Sequence, residues 1–222
     1  MVSSVILCGG SSFRLNPDIL IPKPLLEVGG ITLLDYQIKW LRKYQIEDIV
    51  LATNRFVATS LPVRYSIEED KLGTGGALKR ALDLIKDEVI VVLNVDDLLN
   101  YDVREIINKV RTSNRNYIIL SRARLPFGLA KLEQGRVVGF EEKPVLKDMY
   151  VSAGHYCFCK DTLIKYLPSF GTLEDSLNKV AEDRLLYPFI VDDWMTVNTY
   201  KDYLELREKF PNWSKMTGVS HL

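Results

Sequence analysis

Predicted strands over 2–7, 48–52 and 89–93 hold the unbroken apolar runs 5–7, 49–52 and 89–93, the last of them wholly apolar as in a strand covered on both faces of a sheet. Between them the period lengthens. Residues 33–44 place Leu34, Ile38 and Leu41 on one stripe, and residues 75–86 do the same with Leu78, Leu82 and Ile85. A further helix is predicted over 103–111, then a strand over 117–120. Such alternation predicts an α/β fold, a parallel sheet with helices on both sides. The pattern then changes. Segments 128–132, 137–140 and 151–158 are strand-like with short connections, which predicts an antiparallel part. Helices over 173–183 and 200–209 close the chain around a strand at 187–191.

The 222 residues suit one sizeable domain, 1–222, and no linker, internal repeat or low-complexity stretch divides them. Lys+Arg and Asp+Glu are balanced at 29 each, so no basic surface points to nucleic acid and no acidic tail is present. Neither an export signal nor an apolar run long enough to span a membrane is visible, so the cytoplasm is the expected location and no membrane partner is expected. The three cysteines, Cys8, Cys157 and Cys159, fit no zinc spacing, and an odd number argues against a disulfide framework. Cys157 and Cys159 alternate in a strand-like run and should share a buried face; His155, in the same run, reads as a packed core residue.

Candidate chemistry begins where the first strand ends. Leu7-Cys8-Gly9-Gly10-Ser11-Ser12-Phe13-Arg14 follows it, then Pro22-Lys23-Pro24-Leu25. Paired glycines after a buried strand let backbone N–H groups approach an anion, and Arg14 with a proline-braced Lys23 supplies charge for phosphates. Leu72-Gly73-Thr74-Gly75-Gly76-Ala77-Leu78 has two readings: a loop lying against a ligand, or a glycine-rich helix start with Thr74 as N-cap. Asp96 ends an apolar strand, where a carboxylate either ligates a divalent cation or makes an Asx turn. Glu142 and Lys143 read as ligand contacts or as a surface charge pair.

In this order the segments resemble those of the sugar-1-phosphate nucleotidylyltransferases, and look most like guanylyltransferases for mannose or heptose phosphates. The likeness spans position 2 to about position 208. It implies a three-layer α/β/α, Rossmann-like (GT-A-like) domain with a mixed, mainly parallel sheet. It also implies Mg²⁺-dependent transfer of a nucleotidyl group from a nucleoside triphosphate to a sugar 1-phosphate. By this resemblance Arg14 and Lys23 are catalytic; Leu7, Gly9, Gly10, Ser11, Ser12, Glu69, Gly73, Thr74 and Gly75 bind the nucleotide. Glu142, Lys143, Ser152 and Gly154 bind the sugar phosphate, and Asp96 holds the metal. A homo-oligomer is a possible partner arrangement. Larger relatives often add a C-terminal β-helix of hexapeptide repeats, and none is expected after Phe210.

The chain departs from the family pattern at four places. Ser12 replaces a third glycine and Phe13 a small polar residue; Ser152 replaces an asparagine; and Thr196 stands where a second aspartate binds the metal. In an extended strand Asp193 would face away from position 196, and Asp192 would share its face at roughly 13 Å, unless a bulge intervenes. These departures keep open an alternative: a catalytically impaired homologue that binds nucleotide or sugar nucleotide as a regulatory subunit.

Overall fold

A computed structural model describes residues 1–9 and 21–220. The candidates Gly10, Ser11, Ser12 and Arg14, with Phe13, lie outside the described residues. In chain order the elements begin with β1 (Val2–Leu7), a single 3-10 turn (Lys23–Leu25), β2 (Glu27–Val28), β3 (Ile31–Thr32), α1 (Leu33–Lys43), β4 (Asp48–Thr53) and β5 (Arg64–Ile67). Then come α2 (Gly73–Leu82), β6 (Val89–Asn94), β7 (Asp97–Leu99), α3 (Val103–Ser113), β8 (Asn116–Arg124), β9 (Leu129–Glu133), β10 (Arg136–Glu141) and β11 (Val145–Cys159). The chain ends with α4 (Lys160–Leu163), α5 (Leu173–Glu182), β12 (Leu186–Ile190), β13 (Trp194–Thr196) and α6 (Tyr200–Thr217).

Seven strands form the central sheet in the order β12-β8-β11-β6-β1-β4-β5. The pairs β6–β1, β1–β4, β4–β5 and β8–β12 are parallel, while β11 runs antiparallel to both β6 and β8. The sheet is therefore mixed and mostly parallel. Its near-continuous apolar strands have a simple cause, since both faces are covered. Val89, Val91 and Leu93 of β6 pack with α1, α3 and α6 on one side; Ile90 and Val92 pack with α2, α4 and α5 on the other. Each fully buried Leu or Ile there contributes roughly 1.5–3 kcal/mol. Cys157 and Cys159 do share one buried face, and Cys8 is buried too.

Several boundaries differ from the sequence reading. α2 starts two residues earlier and ends four earlier than 75–86, because Asp83 caps it and residues 84–86 turn away. Leu72, not Thr74, is its N-cap; the Thr74 hydroxyl instead accepts the backbone N–H of Leu173 at 2.9 Å, tying α2 to the start of α5. α6 runs to Thr217 through Pro211, past the expected end at 209. β11 begins at Val145 rather than 151, and the two-residue strands, β5, β7 and β13 were too short to show a period.

Candidate active site

The site is assembled where the parallel strands β1, β4 and β6 end, the edge at which open α/β sheets bind ligands. Beyond β1, Cys8 N–H bonds to Ala52 O at 2.8 Å and Val95 N–H to Leu7 O at 3.3 Å, so the two loop starts are held side by side. The 3-10 turn after Pro22, closed by Leu25 N–H to Pro22 O at 2.9 Å, aims Lys23 across this edge. Its Nζ lies 2.5 Å from Asp96 Oδ2 and 3.5 Å from Asn198 Oδ1. Two sequence candidates 73 residues apart thus form an ion pair, each side chain about one-fifth exposed.

Under this pair lies Asp97. It stands opposite Thr196 in the antiparallel β7–β13 ladder. Trp194 Nε1 donates to its Oδ1 and Asn94 Nδ2 to its Oδ2, both at 3.0 Å. Burial, and next the charge of Asp96, push its carboxyl up to about 6, against hydrogen bonds from Asn94, Thr196 and Trp194. Gly154 packs on the same carboxylate. Its φ is +73°, and a Cβ there would fall 1.8 Å from Asp97 Oδ2, so only glycine brings β11 onto the site. Ser152, two residues before, shares a hydroxyl contact of 3.1 Å with Tyr156 and accepts Gly154 N–H at 3.4 Å.

The second acidic side chain weighed for a metal does not reach this cluster. Asp193 Oδ2 accepts Asn100 Nδ2 at 3.1 Å and its carbonyl accepts Asn100 N–H, with no bulge to turn it; Asp192 is exposed. Thr196 accepts instead from Asn198 Nδ2 at 3.1 Å. Among the described residues no group of three or more His, Cys, Asp or Glu could hold a metal. Neither of two potential reactive groups nearby is activated. Burial and the Asp96 charge raise the Cys8 thiol, and burial lowers His155 to about 3, neutral against Trp40 and Tyr101.

Where β1 and β4 end, a cavity of about 170 Å³ is lined by four candidates, Leu7, Gly9, Gly73 and Thr74, together with Ala52, Asn54, Glu68, Lys71 and Ala77. Glu68 is buried, with Oε2 accepting Leu72 N–H at 2.9 Å, whereas Glu69 is exposed. Strand parity was the available signal: Ser66 is buried in β5, so Glu68, two on, faces the same way and Glu69 the other. Gly75 sits behind the cavity. Its N–H is bonded to Gly171 O at 3.0 Å, and a Cβ on it would meet Thr172 O at 2.6 Å. The glycine run therefore serves the close approach of α2 to residues 169–172, not only the cavity wall. Glu142 and Lys143 stand apart from the cluster, exposed, 4.0 Å from each other, with Lys143 at φ +48°.

A nucleotidyl transferase family model matches residues 3–212. The chain is 30% identical over 176 residues to a D-glycero-alpha-D-manno-heptose 1-phosphate guanylyltransferase of Campylobacter jejuni, covering 72% of this chain and 77% of that one. It is 31% identical over 228 residues to a mannose-1-phosphate guanyltransferase of Debaryomyces hansenii, covering 91% of this chain but only 63% of that longer protein. In fold it is similar to the crystal structure of a putative glucose-1-phosphate thymidylyltransferase from Bacillus anthracis, with a TM-score of 0.72, 20% identity and 94% of each chain covered.

Proposed function

Because this chain belongs to the nucleotidyl transferase family, we propose that it joins a nucleoside triphosphate to a sugar 1-phosphate, giving an NDP-sugar and pyrophosphate. The observation that carries this reading is the Lys23–Asp96 pair, held at the same sheet edge as the cavity that Gly9 and Gly73 line. A sugar-phosphate oxygen attacks the α-phosphorus, the new P–O bond forms, and the bond to the bridging oxygen breaks as pyrophosphate leaves. A phosphate monoester is already ionised near neutral pH, so no general base is required, in keeping with a neutral His155 and a raised Cys8. Lys23 neutralises charge at the α-phosphate, and Arg14 takes the β- and γ-phosphates.

Mg²⁺ suits the donor set. The ion favours one or two carboxylates and completes its shell with phosphates and water, and Asp96 is a partly exposed carboxylate paired with Lys23. Asp96 would hold it, and its Lewis acidity would offset phosphate charge. On the opposite flank Ser152 and Gly154 meet the sugar, with Glu142 and Lys143 contributing from the β10–β11 connection. Guanine is the favoured base, since its adjacent N1–H and amino donors match a buried carboxylate acceptor such as Glu68. No helix among the described residues is long and apolar enough to cross a membrane, and we place the reaction in the cytoplasm.

Pyrophosphate release across nucleoside triphosphates and hexose or heptose 1-phosphates, with Mg²⁺, tests the reading. Turnover is expected with GTP and a mannose or heptose 1-phosphate. Silence across the matrix from protein that still binds nucleotide calorimetrically would move the assignment to a regulatory binding domain.

A further inference from the structure

The inner face of α1 buries Leu34, Ile38, Trp40 and Leu41, as expected of a helix packed on a sheet. One buried residue breaks that apolar pattern. Gln37 is 0% exposed, and a primary amide is costly to bury unless its polar atoms find partners. Its Nε2 lies 2.6 Å from Asp97 O, 3.4 Å from Val95 O and 3.5 Å from Asn94 O. Carbonyl oxygens can only accept, so the amide nitrogen is the end that faces them. The other end gains nothing: Oε1 is buried and accepts no hydrogen bond among the described residues. Gln37 is thus held in the core for its donors.

All three carbonyls belong to the connection from β6 to β7, residues 94–97, and the outer two bracket Asp96. Other polar groups of this connection are fastened as well. Val95 N–H bonds to Leu7 O at 3.3 Å, and Asp96 O accepts Val197 N–H at 3.0 Å. His155 Nε2 lies 3.0 Å from Asp97 O, so it carries the ring proton, and Nδ1 accepts from the Tyr101 hydroxyl at 3.4 Å. The connection is therefore tied to β1, α1, β11 and the segment after β13, while the Asp96 carboxylate stays partly exposed and paired with Lys23.

We propose that Gln37 is the positioning residue for Asp96, its amide holding residues 94–97 so that the carboxylate is already in place for a divalent cation. This role rests on the proposed function, in which Asp96 holds Mg²⁺. A ligand on a backbone free to shift must be ordered when the ion binds, and that ordering weakens binding; a backbone already tied avoids the loss. Gln37 is buried in the helix packed against the connection, so it acts through Asp96 and not by touching a substrate. Partners that orient a metal-binding side chain in this way commonly change metal affinity when they are removed.

Gln37→Met keeps the length of the side chain and about its volume, and removes the donors. Binding of Mn²⁺ to the GTP complex, followed by the electron paramagnetic resonance of the ion, reads the effect without sugar phosphate and without turnover. The dissociation constant for Mn²⁺ is expected to rise roughly tenfold or more in Gln37→Met. The affinity for GTP in EDTA, measured calorimetrically, should stay at the wild-type value. Mn²⁺ affinity equal to that of the wild type would overturn the role. So would a parallel loss of metal-free GTP affinity, which would make Gln37 a support of the whole fold. A wild type that fails to bind GTP, or that binds it and holds Mn²⁺ no more tightly than free GTP does, would fail at the proposed function, and this role would fall with it. Should Gln37→Met not fold, hydrogen exchange of the Gln37 side-chain amide in ¹⁵N-labelled wild type decides. Protected protons are expected, and exchange as fast as that of surface glutamines would overturn the assignment.

Discussion

At the residue scale, the site joins charges that sequence spacing does not bring near each other. Lys23 and Asp96 were both legible, the first from flanking prolines and the second from its place after an apolar strand. Their contact was not, since nothing local encodes a pairing across 73 positions. Glu68 lines the cavity while the neighbouring candidate Glu69 is exposed, on the other side of the alternation that starts at buried Ser66. His155 was readable as core from its apolar run, and its environment makes a pH prediction. Burial holds it neutral down to about 3, while the unfolded chain takes up a proton near the ordinary value of 6.5. Stability is thus complete above that value and falls as pH drops between them, by about 1.4 kcal/mol per pH unit from this group. Denaturant unfolding from pH 7 to pH 5 should show that slope as the difference between wild type and His155→Phe, because the Asp97 carboxyl, raised to about 6, adds a term of opposite sign to both proteins.

At the element scale, the strands and helices buried on both sides were legible because both faces demand apolar residues. The short elements were not. β7 and β13 are three residues each and owe their pairing to tertiary contacts, so the ladder that sets Asp97 opposite Thr196 had no period to announce it. The glycine run opening α2 was legible as glycine-dependent, but the larger part of its cause lies 97 positions away, in the backbone of Thr172 against Gly75. Gly75→Ala should therefore destabilise the fold by roughly 2 kcal/mol or more, since the Cβ would press on a carbonyl oxygen 2.6 Å away. Thermal unfolding would measure it, and an unchanged midpoint would mean that α2 and residues 171–172 separate freely.

At the scale of the whole molecule, alternation of strands and helices indicated the sheet and its mixed character, whereas the strand order required the structure. The insertion of antiparallel β11 between β6 and β8 is the decisive feature. It carries Ser152 and Gly154 to the same sheet edge as Lys23, Asp96 and the cavity lined by Gly9 and Gly73. Thr196 stands opposite the buried Asp97 in the β7–β13 ladder, while Asp96 is partly exposed and pairs with Lys23. The central claim is that this edge transfers a nucleotidyl group through charge supplied by Lys23. Its most direct test is the steady-state rate of pyrophosphate release from GTP with a mannose or heptose 1-phosphate, wild type against Lys23→Ala. The expected result is turnover in the wild type and a loss of roughly 10²–10³ in kcat in the variant, with its circular dichroism unchanged. Equal turnover in the two proteins would contradict it.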